Sequence, residues 1–193
     1  MTLLYLRHGQ TDWNAQGRIQ GRTDIPLNET GREQARAQAL ALVSHEPPVD
    51  VIYASPLLRA RETAEIVQQS LEVPIYFDER LVERCFGSYE GTLRAELVGG
   101  SIASHGAALG EAELERQGVE SLEILGKRVC GFLDEITAGH EAQTVLVVAH
   151  GGVGRMVHWH FHGQDESDKS KHGNAVLRIY DQKPAWERPL FTA

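Results

Sequence analysis

With 193 residues, 19 basic and 27 acidic side chains and a net charge of −8, the chain has the length of one ordinary domain burying roughly 70% of its unfolded surface. Its acidity speaks against nucleic acid or an anionic membrane as partner of the whole surface. Hydrophobic residues make up 41%, but the longest unbroken apolar runs, such as Val145 to Ala149, have five residues and cannot cross a bilayer. Cys85 and Cys130 are too few for a disulfide framework, and no apolar leader precedes Arg7 and His8, so a reducing cytoplasm is the expected setting.

Thr2 to Leu6 is a short apolar run suited to a buried strand, and it stops at Arg7-His8-Gly9. A long polar loop is expected from there to about Asn28. Thr30 and Glu33 then have capping-box spacing, and Ala35, Ala39, Leu40, Leu42 and Val43 recur at helical intervals until Pro47-Pro48 ends the pattern. Val51 to Ala54 reads as a second strand. Ser55 before Pro56 has the form of an N-cap followed by proline at the first helical position, opening a helix through Leu58, Thr63, Ile66 and Val67. Val73 to Phe77 supplies a short strand. From Gly87 to Gly118 the sequence is rich in Gly and Ala with weak periodicity, which suggests a short cap over the core, at about 88–118, within a single domain spanning 1–193.

Ser121 opens a long helix through Leu122, Leu125, Val129, Phe132, Leu133 and Ile136, and Thr144 to Ala149 is the most apolar strand of the chain. His150-Gly151-Gly152 leads into a helix through Val153, Met156, Val157 and Phe161, and Ala175 to Tyr180 can form a last strand. Strands alternating with helices predict an α/β fold, a three-layer α/β/α sandwich with a mostly parallel central sheet.

Two of the apolar strands, Leu3 to Leu6 and Val145 to Ala149, each deliver a His followed by Gly at the carboxyl end. That end of an open α/β sheet is where ligands bind, so if the strands are neighbours, His8 and His150 share one site. Arginine outnumbers lysine fifteen to four. Arg7 beside His8, and Arg59 at the start of the helix after the second strand, offer forked donors around an anion that also meets that helix's amides. A phosphoryl group uses more of these donors than a carboxylate does. No Walker A loop is present, and Gly9, Gly17 and Gly21 do not form a dinucleotide fingerprint, so neither ATP nor NAD is implied.

At this point a resemblance appears. Leu6-Arg7-His8-Gly9, Asn14, Arg18-Ile19-Gln20-Gly21, Asp24, Pro26-Leu27 and Thr30-Gly31 are similar to the opening of the histidine phosphatase superfamily, the phosphoglycerate-mutase-like fold. Ser55 to Ala60 with Thr63, Glu83 with Gly87, Glu90-Gly91, and Val148-Ala149-His150-Gly151 resemble its later blocks in order. The resemblance implies that His8 is the nucleophile forming a phosphohistidine, and that Arg7, Arg59 and His150 surround the transferred group. It further implies that Asn14, Gln20, Gly21 and Gly151 bind substrate phosphate, and that Glu83 protonates the leaving oxygen and then activates water. For such a nucleophile the chemistry asks for one ring nitrogen aimed in line and the other held by a hydrogen bond, best supplied by a backbone carbonyl. Arg84 is a weaker candidate contact.

The implied activity is metal-independent hydrolysis of a small phosphorylated metabolite, with no cofactor. Tyr89-Glu90-Gly91 and the short middle insertion resemble the phosphatase branch, whereas Glu83-Arg84 is the pair seen in cofactor-dependent phosphoglycerate mutases, which is therefore the alternative activity. A non-catalytic phospholigand scaffold is a second alternative, although none of the residues that such a scaffold would lose is missing. His158 and His162 are spaced i, i+4 like metal ligands, but no acid completes a zinc motif, and Trp159 and Phe161 between them suit packing. No metal site is expected. Trp186 and Phe191 in the tail suit either packing within the chain or a subunit contact such as a homodimer.

Overall fold

The computed structural model describes residues 1–96, 111–163 and 173–180. Strands β1 (Thr2–Arg7), β2 (Val51–Ala54), β3 (Ile75–Phe77), β4 (Thr144–Ala149) and β5 (Leu177–Tyr180) form one sheet in the order β3-β2-β4-β1-β5. It is parallel except for β5, which runs antiparallel to β1. The helices are α1 (Asp12–Ala15), α2 (Glu29–Val43), α3 (Leu58–Leu71), α4 (Glu111–Arg116), α5 (Leu122–Gly139) and α6 (Gly151–His162).

A parallel strand covered on both faces should be apolar throughout, and all of β4 is buried. Alternation sorts the side chains into two cores. Leu3, Tyr5, Val145 and Val147 pack with Leu125, Val129, Phe132 and Leu133 of α5 and Val153, Met156 and Val157 of α6. Leu4, Leu6, Leu146 and Val148 meet Ala39 and Leu42 of α2 and Ala64 and Val67 of α3 on the other face. Each fully buried large apolar side chain contributes roughly 1.5–3 kcal/mol, so these two layers dominate the stability of the sheet. After β1 the chain leaves toward the α2–α3 face, and after β4 toward the α5–α6 face, although the two strands are neighbours. That divergence opens a crevice at their carboxyl ends.

Several local expectations are corrected. The capping residue of α2 is Asn28, not Thr30: the Asn28 side chain accepts from the Gly31 amide at 2.9 Å, one position into the stretch that carries the Thr30–Glu33 spacing. Ser55 is not the N-cap residue either: α3 begins at Leu58 behind Leu57, and the Ser55 hydroxyl accepts from the Leu57 amide at 3.3 Å, just before the helix, while also meeting His150. The loop expected before Asn28 contains α1, four residues closed by a Thr11–Asn14 capping box and too short to show periodicity. Ser121 does cap α5, accepting from Ile124 at 3.1 Å. Part of the expected cap and the tail residues Trp186 and Phe191 lie outside the described residues. Among the described residues no helix is long and apolar enough to cross a membrane, and no cluster of three or more His, Cys, Asp or Glu is placed to hold a metal ion.

The reassigned cap is open to a direct check. Asn28→Ala should lower stability by about 1–2 kcal/mol, a melting temperature shift of a few degrees, whereas Thr30→Ala, at an exposed helical position, should stay within about 0.5 kcal/mol of the parent. Equal losses from the two variants in thermal unfolding would return the cap to Thr30.

Candidate active site

Register brings the two histidines together. Arg7 pairs with Ala149 and Ala54 with Val148, so the residues that follow, His8, His150 and Ser55, all emerge at one edge of the sheet. The His8 amide donates to Ala149 O at 3.0 Å, the Ser55 amide donates to Val148 O at 3.0 Å, and the two imidazole rings lie 5.2 Å apart between centroids. His8 is 2% exposed and His150 fully buried.

His8 Nδ1 lies 2.7 Å from Gly9 O. A carbonyl only accepts, so Nδ1 carries the proton of the neutral ring and Nε2 carries the lone pair, without a hydrogen bond to any described residue. Burial first, then the Arg59 and Arg7 charges, holds His8 well below its ordinary pKa, against the opposing Gly9 hydrogen bond. The turn that makes this possible needs Gly9, because a Cβ there would stand 2.4 Å from Gly31 O at the start of α2. The Gly9 amide donates to Thr63 Oγ1 at 3.1 Å, and Asn174 Nδ2 bonds the His8 and Gly9 carbonyls, each at 3.2 Å. Thr63 and Asn174 thus brace the loop from two sides.

His150 Nε2 is 2.7 Å from Ser55 Oγ, and its Nδ1 is buried without a partner among the described residues. Its proton affinity is depressed by burial and then by Arg59, His8, Arg7 and Arg128. Arg59, 1% exposed, donates from Nη1 to Thr23 O at 2.9 Å and from Nη2 to Gly21 O at 2.7 Å, and among the described residues only its buried Nε is left without a partner. Burial brings even this guanidinium down to about 10. Two of the five Arg59 N–H groups thus order the 21–23 loop, and three remain to meet an anion. At the start of α3 the Leu58 amide is already taken, donating to Asp24 Oδ1 at 2.6 Å.

Arg7 and Glu83 meet over the first residues of α6. A methyl group at Gly151 would lie 3.8 Å from both Arg7 Cζ and Glu83 Oε2. The Gly152 amide donates to Glu83 Oε1 at 3.0 Å and Oε2 at 3.1 Å, an approach that glycine permits because a Cβ would stand 2.4 Å from Oε1. The Arg84 amide adds a donor to Oε1 at 2.9 Å. Burial weakens the proton affinity of Arg7, and the Glu83 charge offsets it.

The predicted binding residues gather beside this centre. Asn14 Oδ1 accepts from Thr11 N and Oγ1, both at 3.1 Å, and from Asn174 at 3.2 Å, so the amide nitrogen is the end left to donate outward. Gln20 Oε1 lies 3.0 Å from the same Thr11 Oγ1, whose single proton the two oxygens share, which likewise leaves the Gln20 nitrogen to donate outward. Arg84 turns away: Nε donates to Glu120 O at 2.7 Å and the guanidinium lies over Phe86. The His158 and His162 rings sit 4.6 Å apart near Tyr180. Cys130 is buried, which pushes its thiol up to about 11.

Ser55 as the partner of His150, Thr63 and Asn174 as braces of the His8 loop, and Glu90 were not legible as functional supports. Glu90 Oε1 accepts from Arg22 N and Phe86 N, each at 3.0 Å, while Oε2 accepts from Thr23 N at 2.9 Å and Thr23 Oγ1 at 2.6 Å. Burial raises its affinity for a proton, but these bonds prevail and hold it below the usual carboxylate value. The Glu90-Gly91 motif was the available signal, and in the structure this carboxylate joins the 20–23 loop to the 86–90 segment.

Four cationic or proton-accepting groups held together with depressed proton affinities, two of them with buried unpartnered nitrogens among the described residues, define a site built for an anion. The profile of the histidine phosphatase superfamily (branch 1) matches residues 3–188, and the chain belongs to that superfamily. It is 37% identical to the uncharacterized phosphatase PhoE of Bacillus subtilis over 149 residues, 76% of this chain and 69% of that one. It is 33% identical to the metal-independent phosphoserine phosphatase of Arabidopsis thaliana, covering 94% of this chain and 77% of the relative. Among solved structures, the phosphoserine phosphatase of Entamoeba histolytica in complex with 3-phosphoglyceric acid superposes with a TM-score of 0.78 at 28% identity, covering 92% of this chain and 89% of that one.

Proposed function

We propose that the protein is a phosphomonoesterase that hydrolyses small phosphorylated metabolites through a phosphohistidine on His8, without a metal ion. The observation that carries this reading is the tautomer of His8: with Nδ1–H donated to Gly9 O, Nε2 is a neutral nucleophile flanked by Arg59, Arg7 and His150. The names of relatives support the substrate class, since phosphoserine phosphatases act on a small phosphate monoester.

In the first half-reaction Nε2 attacks phosphorus, the P–O ester bond breaks, and Glu83 gives its proton to the departing alkoxide. The guanidinium charges of Arg7 and Arg59 and the His150 ring stabilise the charge on the equatorial oxygens, which is the dominant source of rate enhancement in such chemistry. Asn14, Gln20, Gly21 and Gly151 form the walls of the phosphate cradle. In the second half, Glu83 takes a proton from water as that water attacks phosphorus. The P–N bond breaks, releasing phosphate and regenerating neutral His8. On this reading the chain is a single domain with a short cap at about 88–118, of which residues 92–117 would meet the non-phosphate part of the substrate.

Hydrolysis of p-nitrophenyl phosphate in excess EDTA tests this. Full turnover in chelator is expected, with competitive inhibition by vanadate, which imitates five-coordinate phosphorus. Turnover that collapses in EDTA would overturn the metal-independent mechanism. Glu83→Gln should slow hydrolysis of an alkyl ester such as β-glycerophosphate by about 10²–10⁴-fold but that of p-nitrophenyl phosphate far less, because p-nitrophenolate needs little protonation to leave. Equal losses on the two esters would remove Glu83 from the acid role. Transfer of the phosphoryl group from a bisphosphate primer to 3-phosphoglycerate at a rate exceeding hydrolysis would make the protein a mutase.

A further inference from the structure

The acid and base role of Glu83 requires its backbone to stay in register with Gly152, yet Glu83 lies in irregular chain between two 3-10 turns, Glu79–Leu81 and Gly87–Tyr89. No sheet ladder fixes it. Three carbonyls of this stretch instead converge on one side chain of α5. Arg128 donates from Nη1 to Arg80 O and Val82 O, each at 2.6 Å, and from Nη2 to Glu83 O at 3.2 Å. Its remaining donors go to Glu120, Nε to Oε1 at 2.8 Å and Nη2 to Oε2 at 2.9 Å. All five guanidinium hydrogens thus have acceptors, an arrangement that lysine's compact ammonium cannot reproduce.

Glu120 does more than neutralise this cation. Its carboxylate accepts from Cys85 N at 3.1 Å and from Arg22 Nη2 at 3.3 Å, its amide donates to Cys85 O at 3.0 Å, and its carbonyl accepts from Arg84 Nε at 2.7 Å. The Arg128 and Glu120 side chains are 15% and 5% exposed, so the pair works largely out of solvent, where hydrogen bonds are strong and the loss of one partner is felt. Both flanks of Glu83 are therefore anchored, residues 80 to 83 by Arg128 and residues 84 and 85 by Glu120.

We propose that Arg128, oriented by Glu120, is the positioning residue that aims the Glu83 carboxyl at the leaving-group oxygen. This rests on the reading of Glu83 as acid and base. It assigns to α5, a helix otherwise devoted to the core, an indirect part in setting the rate of leaving-group departure. Neither residue touches the reacting atoms. The pair acts through the backbone of residues 80–85.

The test compares Arg128→Met, Arg128→Lys and Glu120→Gln with Glu83→Gln, each assayed for kcat on p-nitrophenyl phosphate and on β-glycerophosphate. If the proposal holds, Arg128→Met and Glu120→Gln lose about 10-fold or more in kcat on the alkyl ester beyond any loss on the aryl ester, the same pattern as Glu83→Gln, and Arg128→Lys falls between them and the parent. Equal losses on both esters in the Arg128 and Glu120 variants, with Glu83→Gln still selective, would assign the pair a merely structural role and overturn the proposal while leaving the mechanism standing. A Glu83→Gln variant without leaving-group selectivity would fell the mechanism, and this inference with it. Should Arg128→Met fail to give a cooperative thermal transition, Glu120→Gln and Arg128→Lys decide by the same ratio.

Discussion

His8→Ala should abolish turnover, with a loss on the order of 10⁵-fold in kcat, and should leave no acid-labile phosphoenzyme when the protein is mixed with radiolabelled phosphoester and quenched in alkali. The size of the expected effect follows from geometry. Nε2 of His8 is the ring nitrogen left with a lone pair once Nδ1 is tied to Gly9 O, and the ring cannot rotate away without giving up that bond. Its nearest candidate substitute, the buried imidazole of His150, has its Nε2 committed to Ser55 Oγ. Full labelling of the His8→Ala protein, or label recovered on another side chain, would refute the assignment.

The environment of His8 also sets the sign of its pH response. Burial, Arg59 and Arg7 depress its pKa below the ordinary value, so the ring stays neutral, as the proposed nucleophile must, when the medium is acidified through about pH 6.5. The acid limb of kcat/KM should consequently fall well below that of an unperturbed histidine. Stability responds in the opposite sense. An unfolded histidine takes up a proton near pH 6.5, the folded one does not, and so stability present above that pH is lost as pH falls toward the folded-state pKa. His150 and His160, also depressed mainly by burial, add to the same trend. An unchanged pH dependence of thermal unfolding in His8→Ala would contradict this electrostatic picture.

The reach of the sequence follows from which signals are local. His8 and His150 could be paired because each is the residue that an apolar strand delivers at its carboxyl end, and neighbouring parallel strands put those ends together. The strand–helix alternation likewise carried the three-layer architecture. What stayed hidden was cooperative and distant in sequence. Arg128 sits on a helix whose pattern reads as core packing, yet its acceptors lie at residues 80, 82 and 83. Ser55 matched a capping template, but the helix starts two residues later than that template implies, and the tertiary contact with His150 gave no local signal. Thr30 with Glu33 matched another template, but Asn28 reached the Gly31 amide. Arg59 lies beside the two histidines, yet its bonds were not foreseeable, because the carbonyls it holds belong to a loop more than thirty residues earlier.

That last difference changes what Arg59 should do when altered. Arg59→Met removes a buried positive charge beside His8 and also strands the Gly21 and Thr23 carbonyls, so catalysis suffers twice: charge on the phosphoryl oxygens loses a stabilising partner, and the loop bearing Gln20 and Gly21 loses its anchor. A loss on the order of 10³-fold in kcat/KM is expected, with vanadate affinity falling in parallel because the missing interaction is made to the five-coordinate state. Arg59→Lys separates the two roles. It keeps a charge, but one ammonium cannot bond both carbonyls and still present a donor from the position of Nε, so the variant should recover part of the activity while its 20–23 loop exchanges amide hydrogens faster than in the parent. The charge contribution also has a signature at His8: without Arg59 one of the forces depressing its pKa is gone, and the acid limb of kcat/KM should move to higher pH. An Arg59→Lys protein with parental exchange and parental vanadate affinity would show that the two carbonyl bonds are incidental, and that this guanidinium acts through its charge alone.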